Sequence, residues 1–340
     1  MTIMSIRNKL KTILPAYRTE RILEARIAEL NKNVRETNEK NEYLFWLSQM
    51  QPGETMQQTK ERVFLQMPKA TGRLRKIQLA ENYILRRVKD VCDENGLELF
   101  LVGGTLLGAV RHRGFIPWDN DVDVGMMKQD YLKLREILAK DPELSLEYYY
   151  NYKAGLRMSK VKFRAVEVFW IDILVFDRID CGGKDIGEAW NETRKANREF
   201  SRRLGQMAEP WKASYPGRPV ANPELDRLTA ELAAGMEKDH PEMGRGDFFC
   251  GTLDTPFWGR DPRGIKPFGK HFPLRKSAVE FEGVLYDVWD NYEEAMTHMY
   301  GDWQSLPFSI NEPHTTELDA GLEEGFAYLR GRGIISGEED

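Results

Sequence analysis

The stretch GFIPWDNDVDVGM, residues 114–126, sets Asp119, Asn120, Asp121 and Asp123 inside an otherwise apolar run. A carboxylate withdrawn from water is costly unless something pairs with it. From Asp121 onward, polar and apolar residues alternate strictly, the pattern of a strand with one face in a core. Side chains two residues apart in a strand share a face. Asp121 and Asp123 therefore project together, and Val122 and Val124 turn the other way. Two carboxylates side by side repel unless a proton or a cation sits between them. A hard divalent cation, Mg²⁺ or Mn²⁺, resolves that conflict, because it takes carboxylate oxygens together with substrate phosphate. A second segment, FWIDILVF at 169–176, carries Asp172 as its single charge. If that strand lies beside 121–124, three carboxylates converge, a set able to hold one or two metals for an in-line phosphoryl displacement.

The residues just upstream suit the same chemistry. LELFLVGG (97–104) reads as a strand ending in a glycine pair, and TLLGAVRHRG (105–114) as a short helix stopped at Gly114. Gly103 and Gly104 let backbone N–H groups approach a phosphate, and a helix N-terminus favours anions. Thr105 either caps that helix or donates to a phosphate oxygen. Arg111 or Arg113 could neutralise a diphosphate. His112, between two arginines, is expected to be exposed, and Asp119 to orient the turn after Trp118. Lys160, Lys162 and Arg164 alternate on one strand face, which either meets donor phosphates or an anionic glycan, or is simply solvated.

The remainder of the 340 residues bounds the class. With 41% hydrophobic and 30% charged residues the chain is a soluble globular protein of one large or two modest domains. A formal net charge of -5 argues against binding nucleic acid through bulk charge. Three widely spaced cysteines without a C-x-x-C pair exclude a disulfide framework, and neither they nor the histidines show zinc spacing. No apolar run of about 18 residues occurs and the N-terminus lacks a signal-peptide core, so the expectation is cytoplasmic. Ile3, Ile6, Leu10, Ile13 and Leu14 share a stripe with Arg7, Lys9, Lys11 and Arg18. That stripe either touches the inner face of an anionic membrane or is the start of a frayed helix.

Five segments are expected. Residues 1–50 form a helical extension in which Leu23, Ile27, Leu30, Val34, Thr37, Asn41 and Leu44 follow heptad spacing. That seam either pairs two copies as a coiled-coil homodimer or lies on its own protein. Residues 51–70, polar and carrying Pro-Gly, read as a linker. Residues 71–180 hold the catalytic core, opening with a helix from about 71 to 95 that Gly96 ends. Residues 181–320 form a helical and irregular substrate-binding region, with helices near 186–207, 223–239 and 291–300, and 321–340 a tail. Within 208–275, Trp211, Tyr215, Phe248, Phe249, Phe257 and Trp258 either cage a quaternary ammonium group or pack an irregular core. Mixed helices and strands give an α/β or α+β sheet with helical additions.

Taken together, GGTLLGAVRHRGFIPWDNDVDV, FWIDILVF and the late FPLRKSAVEFEGVLYDVWDNYEEAMTHMYGDWQSLP (272–307) closely resemble the signature of the LicD/fukutin family of the nucleotidyltransferase-fold superfamily. The resemblance spans roughly 72–314. It implies an α+β fold, a nucleotidyltransferase-like mixed sheet flanked by helices, with the metal-binding aspartates on neighbouring strands. It also implies a reaction: a phospho-substituted alcohol, phosphocholine or ribitol phosphate, passes from a CDP-linked donor to a hydroxyl of a cell-surface glycan, releasing CMP. Teichoic acid, lipopolysaccharide and capsule are such acceptors. By resemblance Asp121 and Asp123 are metal ligands and Asp172 is the third carboxylate. Gly104 and Thr105 would then hold a phosphate, and Arg111 would offset charge on the leaving CMP. Asp172 would bind a second metal or take the acceptor proton. Asn120 stands where the family carries an aspartate, on the side turned away from the Asp121/Asp123 face, so metal binding is expected to survive. Glu282 falls in the family's FEG element as a structural or substrate-positioning residue, and His314 where the family has a late histidine. Two other functions are weighed: transfer of NMP to a small molecule or protein, and a non-catalytic scaffold pairing through 23–44. The GGTLLGAVRHRG and IPWD elements, with all three aspartates retained, favour the phosphotransferase.

Overall fold

Long runs of Glu, Arg, Lys, Leu and Ala favour helix, and in the computed structural model residues Ile3–Gln49 form one helix, α1. The structure describes residues 3–153, 155–215, 217, 220–240, 246, 248–251, 276–306 and 321–336. After a turn at Pro52–Gly53, α2 (Met56–Gln66) occupies part of the expected linker. The helix is tied back by Arg62, which donates to Glu54 at 2.6 Å. α3 (Gly72–Asn95) follows and ends at Gly96 in the left-handed region, the usual helix terminator. The strand expected over 97–104 is only Phe100–Leu101, β1, because α4 (Gly103–His112) begins at the first glycine rather than at Thr105.

Then come β2 (Asp123–Met127), α5 (Lys128–Leu138), β3 (Leu144–Asn151), β4 (Leu156–Phe163) and β5 (Trp170–Ile179). Three helices follow, α6 (Ile186–Met207), α7 (Glu209–Lys212) and α8 (Pro223–Asp239). β6 (Phe248–Gly251), β7 (Lys276–Phe281), β8 (Val284–Trp289), α9 (Tyr292–Tyr300) and α10 (Leu322–Gly331) complete the order. The sheet has eight strands in the order β3-β4-β5-β2-β1-β8-β7, with β6 also on β5. It is mixed: β2–β5 and β1–β8 run parallel, the other pairs antiparallel. This is the expected α+β architecture.

One face of the sheet is a core. Val122, Val124, Met126, Ile171, Ile173 and Val175 meet Ile77, Ile84, Leu85 and Val88 of α3 and Leu322, Phe326 and Leu329 of α10. The opposite face carries Phe100, Val102, Leu174, Phe176 and Trp289. A satellite cluster packs Tyr150 and Tyr152 against Phe200 and Leu204 of α6 and Leu225 and Leu232 of α8. Trp211 and Tyr215 join that cluster, so packing rather than a cage describes them. The side chains of Phe248 and Phe249, together with Phe257, Trp258 and His314, lie outside the described residues.

Two corrections to the sequence reading concern the C-terminal part. The late segment is a hairpin, β7–β8, that extends the catalytic sheet through β1, so that sheet does not end near residue 180. Its turn is Glu282–Gly283, with φ of 48° and 79°. Positive φ at both central residues is what a two-residue hairpin turn of the tighter-twisting type requires. The expected tail contains α10, whose Leu329 is fully buried.

The chain divides into two units, Met1–Val63 with Gln304–Ser309, and Phe64–Trp303 with Ile310–Asp340. In the first, Leu23, Ile27, Leu30, Val34 and Leu44 of the heptad stripe are exposed by 52–61%. The side chains of the preceding stripe, Ile3 to Arg18, lie outside the described set. Among the described residues no helix is long and apolar enough to cross a membrane.

Candidate active site

The register of the sheet builds the site. Asp123 on β2 is paired with Asp172 on β5, and Asp172 with Lys160 on β4. These three side chains form one row on the face opposite the core. Asp121 lies two residues before Asp123, just ahead of the strand, and the Asp172 N–H donates to the Val122 carbonyl at 2.8 Å to extend the pairing there. Carboxylate oxygens of Asp121, Asp123 and Asp172 all come within 4.8 Å of one another, and each residue is partly open to solvent. The alternation read from the sequence holds: Val122 and Val124 are fully buried behind them.

The glycine pair has a steric reason. Gly103 sits at φ 58°, and a Cβ there would come within 2.7 Å of Asp123 Oδ2. A Cβ on Gly104 would lie 3.1 Å from Asp119 Oδ2. The first turn of α4, with its unpaired N–H groups, thus lies directly against the carboxylates. Thr105 does not cap α4: its Oγ1 accepts the Asp123 N–H at 2.8 Å, fixing β2 to the helix and leaving the hydroxyl proton to donate elsewhere.

The cations fall differently from expectation. Lys160 Nζ donates to both oxygens of Asp172, at 2.6 and 2.9 Å, and lies 4.5 Å from the centre of the Trp170 ring. Lys162 is held by Glu167 at 2.7 Å and Glu147 at 3.2 Å, a structural ion-pair set rather than a phosphate contact. Arg111 is buried, donates to the Trp303 carbonyl and stacks on Phe64, 4.6 Å from the ring centre. It braces α4 instead of facing the carboxylates. His112 is half-buried, not exposed, and its Nδ1 lies 2.8 Å from the Phe64 carbonyl. Burial lowers its pKa to about 4, against that hydrogen bond and with help from the Arg111 charge.

The electrostatics of the cluster are those of crowded, buried carboxylates. Burial, then the charges of Asp121, Asp172 and Asp119, push Asp123 well above the usual carboxylate range. Burial also raises Asp172, to about 6, with Lys160 opposing and Asp121 adding to the rise. Sequence reasoning missed a further carboxylate. Glu81 of α3 is 5% exposed, and its Oε2 has no hydrogen-bond partner among the described residues. Burial raises it strongly, with Asp121, Asp119 and Asp172 adding to the rise. One helical turn away, Gln78 donates from Nε2 to the Asp119 carbonyl at 2.8 Å, holding the turn before the strand. The signal was present: Gln78 and Glu81 interrupt the apolar face set by Ile77, Ile84 and Leu85 at helical spacing.

Glu282 proves structural. Lys69 and Arg75 donate to its Oε2 at 2.9 and 2.7 Å. Burial alone would raise its pKa, but these two cations hold it below the usual value. A Cβ on Gly114 would overlap Glu282 Oε1, which is why the loop leading to Asp121 can pass beneath the hairpin turn.

Known proteins are similar to this chain over the part that holds the site. The lipopolysaccharide cholinephosphotransferase LicD of Haemophilus influenzae is 26% identical over 254 residues, covering 69% of this chain and 92% of that protein. The ribitol 5-phosphate transferases FKRP of mouse and human are 49% identical over 45 residues, which cover 13% of this chain and 9% of theirs. Residues 96–207, which contain the glycine pair, all three aspartates and Lys160, match the nucleotidyltransferase domain described as LicD/FKTN/FKRP. Over those residues the chain is similar to the LicD/FKTN/FKRP family.

Proposed function

We propose that this chain is a LicD-type phosphotransferase that moves a phospho-substituted alcohol from a CDP-linked donor to a hydroxyl of a cell-surface glycan, releasing CMP. The observation that carries it is the convergence of Asp121, Asp123 and Asp172 within 4.8 Å, beside the N-terminus of α4. Relatives named for transfer of choline phosphate and ribitol phosphate support the reaction class.

The donor set fits a hard divalent cation, since it is all carboxylate oxygen and carries more negative charge than Lys160 offsets. Asp121, Asp123 and Asp172 would hold Mg²⁺ or Mn²⁺. Such an ion, when bound, neutralises charge on the diphosphate and on the leaving phosphate. The chain's own residues do the rest. Gly103 and Gly104 let the first turn of α4 approach the carboxylates, so that its N–H groups stand beside the place a donor phosphate would take. Lys160 fixes Asp172 by a two-point ion pair. Asp172 either completes the metal set or takes the proton of the acceptor hydroxyl as its oxygen attacks phosphorus. The bond to CMP then breaks in line, and CMP leaves with the bonding electrons. Thr105 keeps β2 and α4 in register while charge moves. The exposed stripe of α1 supports pairing of two copies through residues 23–44.

Release of CMP from CDP-choline, with and without Mg²⁺, tests the reading. Asp121→Ala should lower turnover at least about 10²-fold, the scale for losing an essential group, with an unchanged circular dichroism spectrum. Turnover near wild type in that variant, or full activity in excess chelator, would sink the assignment.

A further inference from the structure

Between Thr19 and Phe45, α1 is exposed at every residue except the half-buried Asn38 and Glu42. Helices draw most of their stability from packing an apolar face, and among the described residues nothing packs on this one. The end of α1 shows which side the helix keeps for its own unit. Trp46 is 2% exposed and donates from Nε1 to Glu42 Oε1 at 3.0 Å. The same oxygen accepts the Leu306 N–H at 3.0 Å. At about 100° per residue, Glu42 and Trp46 lie about 150° from the midline of Asn41 and Leu44. Docking on its own unit therefore leaves the heptad stripe turned outward.

The residues of the stripe select what covers it. Leu23, Leu30, Thr37 and Leu44 are seven apart, and Ile27, Val34 and Asn41 follow the first three by four residues. That is a heptad with Leu at d and β-branched residues at a, the combination that favours two parallel strands over three or four. Asn41, also at a, sets the orientation. Its amide meets a like amide across the seam only where two Asn41 side chains lie opposite each other, in a parallel pair in register. An antiparallel or slipped pair would set Asn41 against an apolar residue and leave the amide unpaired. In the parallel pair the g-to-e neighbours are Arg26 with Asn31, Asn33 with Asn38 and Lys40 with Phe45, none of them like-charged. An anionic membrane surface suits this stretch less well. It holds six acidic and five basic residues between Thr19 and Phe45, whereas surface binding calls for a basic polar face.

We infer that residues 23–44 join two copies of this chain as a parallel, in-register, two-stranded coiled coil in which Asn41 fixes orientation and register. Both catalytic segments then follow from the same end of the coil. The inference rests on the pairing through α1 and is independent of the phosphotransferase reading of the carboxylates.

Sedimentation equilibrium of the full chain should give the mass of a pair. Ile27→Glu combined with Leu30→Glu, at positions 57% and 52% exposed, should give a single chain with an unchanged Tm. Glu20→Cys occupies the next a position upstream and reads orientation. Mild oxidation should link it into a disulfide dimer, with wild type as the control for Cys92, Cys181 and Cys250. In an antiparallel pair that sets residue 20 against residue 44, the two introduced thiols would stand about 36 Å apart and no link would form. Adding Asn41→Leu to Glu20→Cys should tighten the association but lower the linked fraction, because other orientations and registers are then permitted. A pair that does not link through Glu20→Cys would overturn the parallel assignment and leave pairing through α1 standing. A linked fraction unchanged by Asn41→Leu would remove Asn41 from its role. Wild type sedimenting as a single chain would overturn both the orientation and the pairing.

Discussion

At Gly103 one methyl group separates a working site from a blocked one. Gly103→Ala would need the left-handed conformation, costing about 1–2 kcal/mol, and would press its Cβ onto Asp123 Oδ2. The expected outcome is a small fall in Tm with a far larger loss of CMP release, read by calorimetry and turnover on the same preparation. His112 gives a pH-dependent prediction. Its folded pKa, about 4, lies below the unfolded value near 6.5. The unfolded chain therefore binds more protons between those values, and His112 costs the fold stability as pH falls from about 6.5 to 4. The loss is up to about 3 kcal/mol. Chemical denaturation across that window should show a shallower acid-side decline in His112→Asn than in wild type. At this scale the sequence was informative about Asp121, Asp123 and Asp172, because each is an anomaly in its local pattern. It was not informative about Arg111 and Lys162, because a cation on a helix or strand does not reveal which distant carbonyl or carboxylate it meets.

Among the elements, α10 carries the clearest lesson. Leu322, Phe326 and Leu329 recur at helical spacing, but ten residues containing Gly325 do not make a stable helix alone. Tertiary packing selects it: a Cβ at Gly325 would strike Val168 and Phe169, and the Phe326 ring sits 5.8 Å from that of Phe169. Phe326→Ala should therefore cost about 3–5 kcal/mol by urea denaturation. A cost under about 1 kcal/mol would show that α10 is dispensable. The β7–β8 hairpin was equally hidden, since its alternation is weak and its partner, β1, lies far upstream in sequence. Once formed, it brings Glu282 to Lys69 and Arg75.

For the whole molecule the governing quantity is the negative charge gathered at one site. Asp119, Asp121, Asp123, Asp172 and Glu81 interact with one another, and Lys160 is the cation paired with Asp172. A divalent ion that binds only the native state should stabilise the chain, by about 2.7 kcal/mol at 100 times its Kd. Thermal unfolding with Mg²⁺ or Mn²⁺ should show a raised Tm in wild type and none in Asp123→Asn, which itself should be no less stable without metal. Loss of residues 1–50 should shift the sedimentation coefficient from that of a pair to that of a single chain if α1 joins two copies. An unchanged assembly state would remove α1 from that role.

The sequence by itself determined which residues share a face. Alternation at 121–126, a lone charge in an apolar strand at Asp172, and helical spacing in α3 are local and independent of distant contacts. It also put a helix start at the glycine pair, though the structure begins α4 at Gly103 itself. Only the tertiary structure decided that β2 and β5 run parallel with Asp123 opposite Asp172, that Lys160 closes the row, and that Glu81 reaches it from α3. Those facts depend on strand register and helix docking across separations of tens of residues. There, many pairings are sterically possible, and the burial of the whole core chooses among them.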